Sequence, residues 1–171
     1  MQTFRANVDL RRIDFVALML KELDRLSSTE VETLIKAPLL VCILIAGADG
    51  EIDRKEIKGA IELAEKGKTK DSLAEFYKLV SEDFEDKLKI LLQGFPNKSA
   101  ERTPLVYREL TQLNSILPKI KKSFALDYYK SLRFIAKEIA ESSGGMLGLK
   151  TVGEEEMKVF DLPMIKDPSI Y

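Results

Sequence analysis

The sequence predicts an all-α protein, a single compact helical bundle, and three observations carry that reading. Apolar residues recur every three or four positions, as at Ile13, Val16, Leu20 and Leu23, at Val106, Leu110, Leu113 and Leu117, and at Phe124, Tyr128, Leu132, Ile135 and Ile139. Each set lines one face of a helix. No strand-like alternation of apolar and polar residues is sustained, and the Asp49-Gly50 pair lies between helical patterns rather than between strands. Helix starts and stops are also well marked.

Thr29 with Glu32, Asp53 with Glu56 and Ser72 with Glu75 have capping-box spacing, Pro38 and Pro104 suit a first helical turn, and Gly67, Gly94 and Gly144 suit helix ends. These signals predict helices over 11–27, 30–36, 38–48, 54–66, 72–80, 82–93, 104–117, 120–142 and 154–162, or about seven to nine in all. The apolar stretch from Ala37 to Ala48 reads as a core helix, being far shorter than the ~20 residues of a membrane span. Leu40, Ile43, Leu44, Ile57, Ile61, Leu132, Ile135 and Ile139 form the expected shared core. No long Gly-, Ser- or Pro-rich linker interrupts the pattern, so residues 1–171 are expected to make one domain. Residues 163–171, which contain Pro163 and Pro168, are expected to be an irregular tail, either an extended wrap or a loose end.

Composition narrows the function. Lys and Arg number 27 against 28 Asp and Glu, a net charge of −1, so no overall field steers a nucleic acid to the chain. The absence of His excludes imidazole-based acid–base catalysis, Ser-His and Cys-His nucleophiles and imidazole-ligated zinc. A hydrolase built on carboxylates alone ranks last, and no enzyme activity is expected. Cys42, the one cysteine, lies in the apolar run and reads as a small buried hydrophobe in a reducing compartment. No signal-peptide pattern opens the sequence, and the expected location is cytoplasmic.

Chemistry concentrates between Ala46 and Glu56, where Asp49, Glu51, Asp53 and Glu56 crowd one turn around Gly50. Clustered carboxylates suit a hard, oxygen-seeking cation such as Ca²⁺ or Mg²⁺. With Gly50 placed at the invariant glycine of an EF-hand loop, Asp49, Asp53 and Glu56 fall on ligand positions, but Ile45 and Gly47 take two others and offer no side-chain oxygen. The pattern therefore argues against a working EF-hand. The same residues also read as helix caps: Asp53 and Glu56 make a capping box, Gly50 a left-handed turn and Asp49 an acceptor for backbone amides, leaving Glu51 without a role.

A weak internal repeat accompanies this turn. Ala46 and Gly50 align with Ala140 and Gly144 and, across an insertion, Ile52 and Glu56 align with Val152 and Glu156, which suggests two pseudo-equivalent helix pairs. The glycines at 144, 145, 148 and 153 lack the Lys-Ser or Lys-Thr that completes a P-loop. Lys119, Lys121 and Lys122 read as a solvated helix start, and one of Tyr128 and Tyr129 as facing the core.

Ala48-Asp49-Gly50 followed by Ile52 and Glu56, with the longer second turn from Ile139 through Gly148 to Val152 and Glu156, resembles the TerB-like tellurite-resistance family over 38–161. That family's mark is an alanine-rich helix ending in Ala-Asp-Gly, then a hydrophobe, then a Glu inside the next helix. The resemblance implies a two-repeat helical bundle in a cytoplasmic stress or tellurite-resistance system, with an acidic cluster holding a divalent cation at Asp49, Glu56 and Glu156. Ser143 stands where the first repeat has Asp49, which argues against a second equal site. The expectation is thus a non-enzymatic binding module with a weak Ca²⁺ or Mg²⁺ site drawn from Asp49, Glu51, Asp53, Glu56 and Glu156. It is expected to work with a protein partner, without nucleic acid and without membrane insertion. The alternative is a structural or protein-interaction adaptor with no metal, using the loop 143–153.

Overall fold

The computed structural model describes residues 21–46, 54–66, 71–142 and 160–171, all of whose regular structure is helical. A 3-10 turn at Lys21–Leu23 leads into α1 (Ser28–Ala46), followed by α2 (Arg54–Lys66), α3 (Asp71–Ser81), α4 (Phe84–Gln93), α5 (Ser99–Thr111) and the single-turn α6 (Leu113–Ile116). A second 3-10 turn at Leu117–Lys119 leads into α7 (Lys122–Ser142), and Pro168–Ile170 forms a last one. Among the described residues there are thus six helices of ten or more residues. The described residues 54–66 are helical, as expected, while the expected helix 154–162 falls mostly outside the described residues.

α1 is the axis of the bundle. It packs against α2, α3, α4, α5, α6 and α7, and fifteen of its nineteen residues are buried. A helix that is apolar on every side belongs at the centre of a core. The eight core residues expected from the sequence are all buried in one cluster with Leu34, Phe76, Tyr77 and Tyr128. Cys42 is buried among them.

Pro38 does not start a helix as expected; it lies inside α1, which runs unbroken from Ser28. A proline lacks the amide that would bond the carbonyl four residues back, here that of Leu34, at a cost of ~3 kcal/mol in a helix interior. The Tyr128 hydroxyl on α7 supplies the missing donor, bonding the Leu34 carbonyl at 2.8 Å. Burial of the surrounding Leu34, Leu39 and Leu40 offsets the remainder, since each buried aliphatic side chain contributes ~1.5–3 kcal/mol. Pro104 is likewise internal, to α5, which starts at Ser99 rather than at 104.

The capping box of α1 is also shifted from the expected Thr29–Glu32 pair to Ser27 and Glu30. Glu30 Oε2 accepts from the Ser27 amide at 2.9 Å and hydroxyl at 3.1 Å, while the Glu30 amide donates to Ser27 Oγ at 3.4 Å. Glu32 instead pairs with Lys36, one turn on, at 2.8 Å. The helix expected over 11–27 does not reach its end as such: residues 21–23 form the 3-10 turn and the chain bends before Ser27.

Polar groups inside the bundle are tied to backbone or to one another. The Tyr77 hydroxyl lies 2.6 Å from Ser131 Oγ, which donates in turn to the Tyr128 carbonyl at 2.6 Å, so the Tyr77 proton is directed to Ser131. Phe76 meets Tyr77, Tyr128 and Phe124 edge-on at 5.6, 5.5 and 6.3 Å, a favoured arrangement of ring quadrupoles. Buried Lys87 donates to the carbonyls of Leu79 and Glu82 and so places a cation at the C-terminal end of α3. Between them Asp83 takes a left-handed conformation, which an Asp tolerates better than most residues, and the chain turns sharply into α4.

The C-terminal segment is a docked strap, the wrap of the two alternatives. Leu162 and Ile165 are buried, and Asn114 of α6 clamps the backbone from both sides, donating to the Met164 carbonyl at 2.9 Å and accepting from the Lys166 amide at 2.8 Å. Arg133 of α7 pairs with Asp161 and lies 5.9 Å from the ring centre of Tyr129. Tyr129 is consequently buried as well as Tyr128, so both members of the pair face inward.

Candidate functional site

The acidic segment expected to hold a cation lies in sequence between α1 and α2. α1 is described as far as Ala46, 5% exposed, and α2 from Arg54, with Ile57 fully buried. The two helices pack on each other, and α2 packs on α7. Asp49, Glu51, Asp53 and Glu156 lie outside the described residues; Glu56 is placed in the first turn of α2, but its side chain is outside them too. The loop 143–153 is outside them as well. Among the described residues no three acidic or thiol side chains are grouped to hold a metal ion.

A second site was not expected from the sequence. The 3-10 turn before α1 and the corner between α6 and α7 enclose a cleft of about 500 Å³ lined by Lys21, Asp24, Arg25, Pro118, Lys119, Ile120 and Lys121. Lys21 and Arg25 come from one wall and Lys119 and Lys121 from the other. Lys119 Nζ donates to Glu30 Oε1 at 2.5 Å, joining the corner to the capping box of α1. That hydrogen bond and the donors of Ser27 hold the Glu30 carboxyl below its usual pKa. The charge run at 119–122 was legible as a wet surface; its partners Lys21 and Arg25, far off in sequence, were not.

Burial pushes the Cys42 thiol and the Tyr77 and Tyr128 hydroxyls well above their ordinary pKa values, so each stays neutral. No helix among the described residues is long and apolar enough to cross a membrane.

Among the described residues the fold is an all-helical bundle with a basic cleft beside the α6–α7 corner. No family model, curated protein or solved structure matches this chain.

Proposed function

We propose that the chain is a non-enzymatic binding module of the TerB-like kind, in which the turn 49–56 takes a weakly held divalent cation, Ca²⁺ or Mg²⁺. The observation that supports this reading is that the two helices flanking residues 47–53, α1 and α2, pack on each other and into the core. Ligands on a short connection with fixed ends lose less freedom on binding an ion than ligands on a free loop. The Ala48-Asp49-Gly50, Ile52, Glu56 pattern and its partner at Glu156 supply the oxygen donors and the likeness to the family. In this reading the ion ties the α1–α2 pair to the second repeat, and the module serves a protein partner in a cytoplasmic stress response.

The missing oxygens at positions 45 and 47 set the affinity low, with a dissociation constant of about 1 mM. At ten times that concentration of Ca²⁺, mass action gives ~1.4 kcal/mol and a rise in melting temperature of roughly 3–6 °C. Asp49→Asn and Glu56→Gln abolish the rise, while Glu56→Gln keeps baseline stability because Gln also closes a capping box. A melting curve unmoved by tens of millimolar Ca²⁺ or Mg²⁺ sinks the cation and leaves the adaptor with no metal.

A further inference from the structure

We propose that the cleft between the 3-10 turn at Lys21–Leu23 and the α6–α7 corner binds a small, multiply charged phosphate. Four cationic side chains, Lys21, Arg25, Lys119 and Lys121, line it against one carboxylate, Asp24. The whole chain carries a net charge of −1, whereas this cleft is lined by four cations and one carboxylate, with Glu30 bonded to Lys119 beside it. A concave site lined by one sign of charge focuses the field on its ligand. Its volume of about 500 Å³ falls in the ~300–1,000 Å³ range of small-molecule sites, enough room for a metabolite-sized anion.

The donor set favours phosphate over a single carboxylate. Arg25 offers a planar fork that bonds two oxygens of one phosphoryl group, and the three lysines act as separate point charges for further oxygens. Lys119 has one of its three protons taken by Glu30, which fixes its ammonium at the cleft edge and leaves two for a ligand. α7, twenty-one residues long, begins at Lys122, directly after the lining residue Lys121, so the positive end of its dipole adds to the same corner. Asp24 adds an acceptor for a hydroxyl or amino group where the phosphate is an ester. Pro118 and Ile120 are the apolar residues of the lining, available to its organic part.

The same phosphate chemistry is found on soluble metabolites and on lipid headgroups, and one experiment separates them. The full chain is titrated in EDTA buffer, which keeps the acidic turn out of the measurement, with inorganic tripolyphosphate, with ATP, and with vesicles carrying a phosphoinositide in a neutral lipid. The probes are repeated on Arg25→Ala/Lys121→Ala and on Lys89→Ala/Lys137→Ala, which removes equal charge away from the cleft. The expected result is saturable binding of ATP and tripolyphosphate, weakened at least about tenfold by the cleft pair and unchanged by the distant pair. Binding of the vesicles alone, with the same dependence on the cleft pair, supports the site and assigns the phosphate to a lipid. Failure of all three probes, or equal weakening by both pairs, overturns it. Arg25 and Lys121 are exposed, so both doubly substituted proteins melt with the wild type.

Discussion

The Tyr128 hydroxyl donates to the carbonyl of Leu34 across 94 positions of sequence, and that carbonyl is the one Pro38 leaves without its helical donor. The bond explains how the central helix passes a proline without ending. A cycle of four proteins tests it by urea denaturation. Tyr128→Phe strands a buried carbonyl and costs about 1–3 kcal/mol. In the Pro38→Ala background the backbone amide restored at that position takes over, and the cost of Tyr128→Phe falls by at least about 0.5 kcal/mol. Strict additivity would separate the two residues.

Cys42 sits in the middle of α1 with no exposed surface, and burial raises its thiol pKa. Thiolate is the reactive form, so a thiol reagent labels the protein only as it unfolds. Rapid stoichiometric labelling of the folded chain would contradict the central position of α1.

Glu30 links stability to pH. Its folded pKa is lowered, first by Lys119 and then by Ser27, so its contribution is full above the unfolded value of ~4.3 and is lost as pH falls through the lower folded value. Glu30→Gln retains the capping box but not the ion pair. The stability gap between wild type and variant is up to about 1 kcal/mol at pH 7, as befits an exposed pair, and closes toward pH 3. A gap that persists unchanged at pH 3 would show that the charge plays no part.

Asn114 holds the strap by two backbone hydrogen bonds. Asn114→Ala costs about 1–3 kcal/mol if strap and bundle unfold together. Where the strap opens alone, trypsin cuts after the exposed Lys166 several-fold faster than in the wild type while the melting temperature stays close to it. Wild-type stability together with wild-type cleavage would mean that the clamp does not hold the strap.

The periodic faces made the helices and the core legible, because burial of Leu40, Ile57 and Ile135 follows from spacing alone. Pro38 misled because its helix-breaking rule is local, whereas the donor that rescues Leu34 comes from another helix. Thr29–Glu32 and Ser27–Glu30 have the same box spacing, and distant or neighbouring charges decided between them: Lys36 takes Glu32 and Lys119 takes Glu30. The basic cleft was hidden for the same reason, since its two walls meet only after folding. Of the acidic segment, the sequence shows the donors, while Asp49, Glu51, Asp53 and Glu156 lie outside the described residues.

The measurement that bears most directly on the binding-module reading is a calorimetric titration of Ca²⁺ into the wild-type chain and into Asp49→Asn. The expected result is a single weak site of about 1 mM in the wild type and no saturable heat in the variant. Absence of saturable heat in both, or an equal isotherm in both, would contradict a cation held at the turn 49–56.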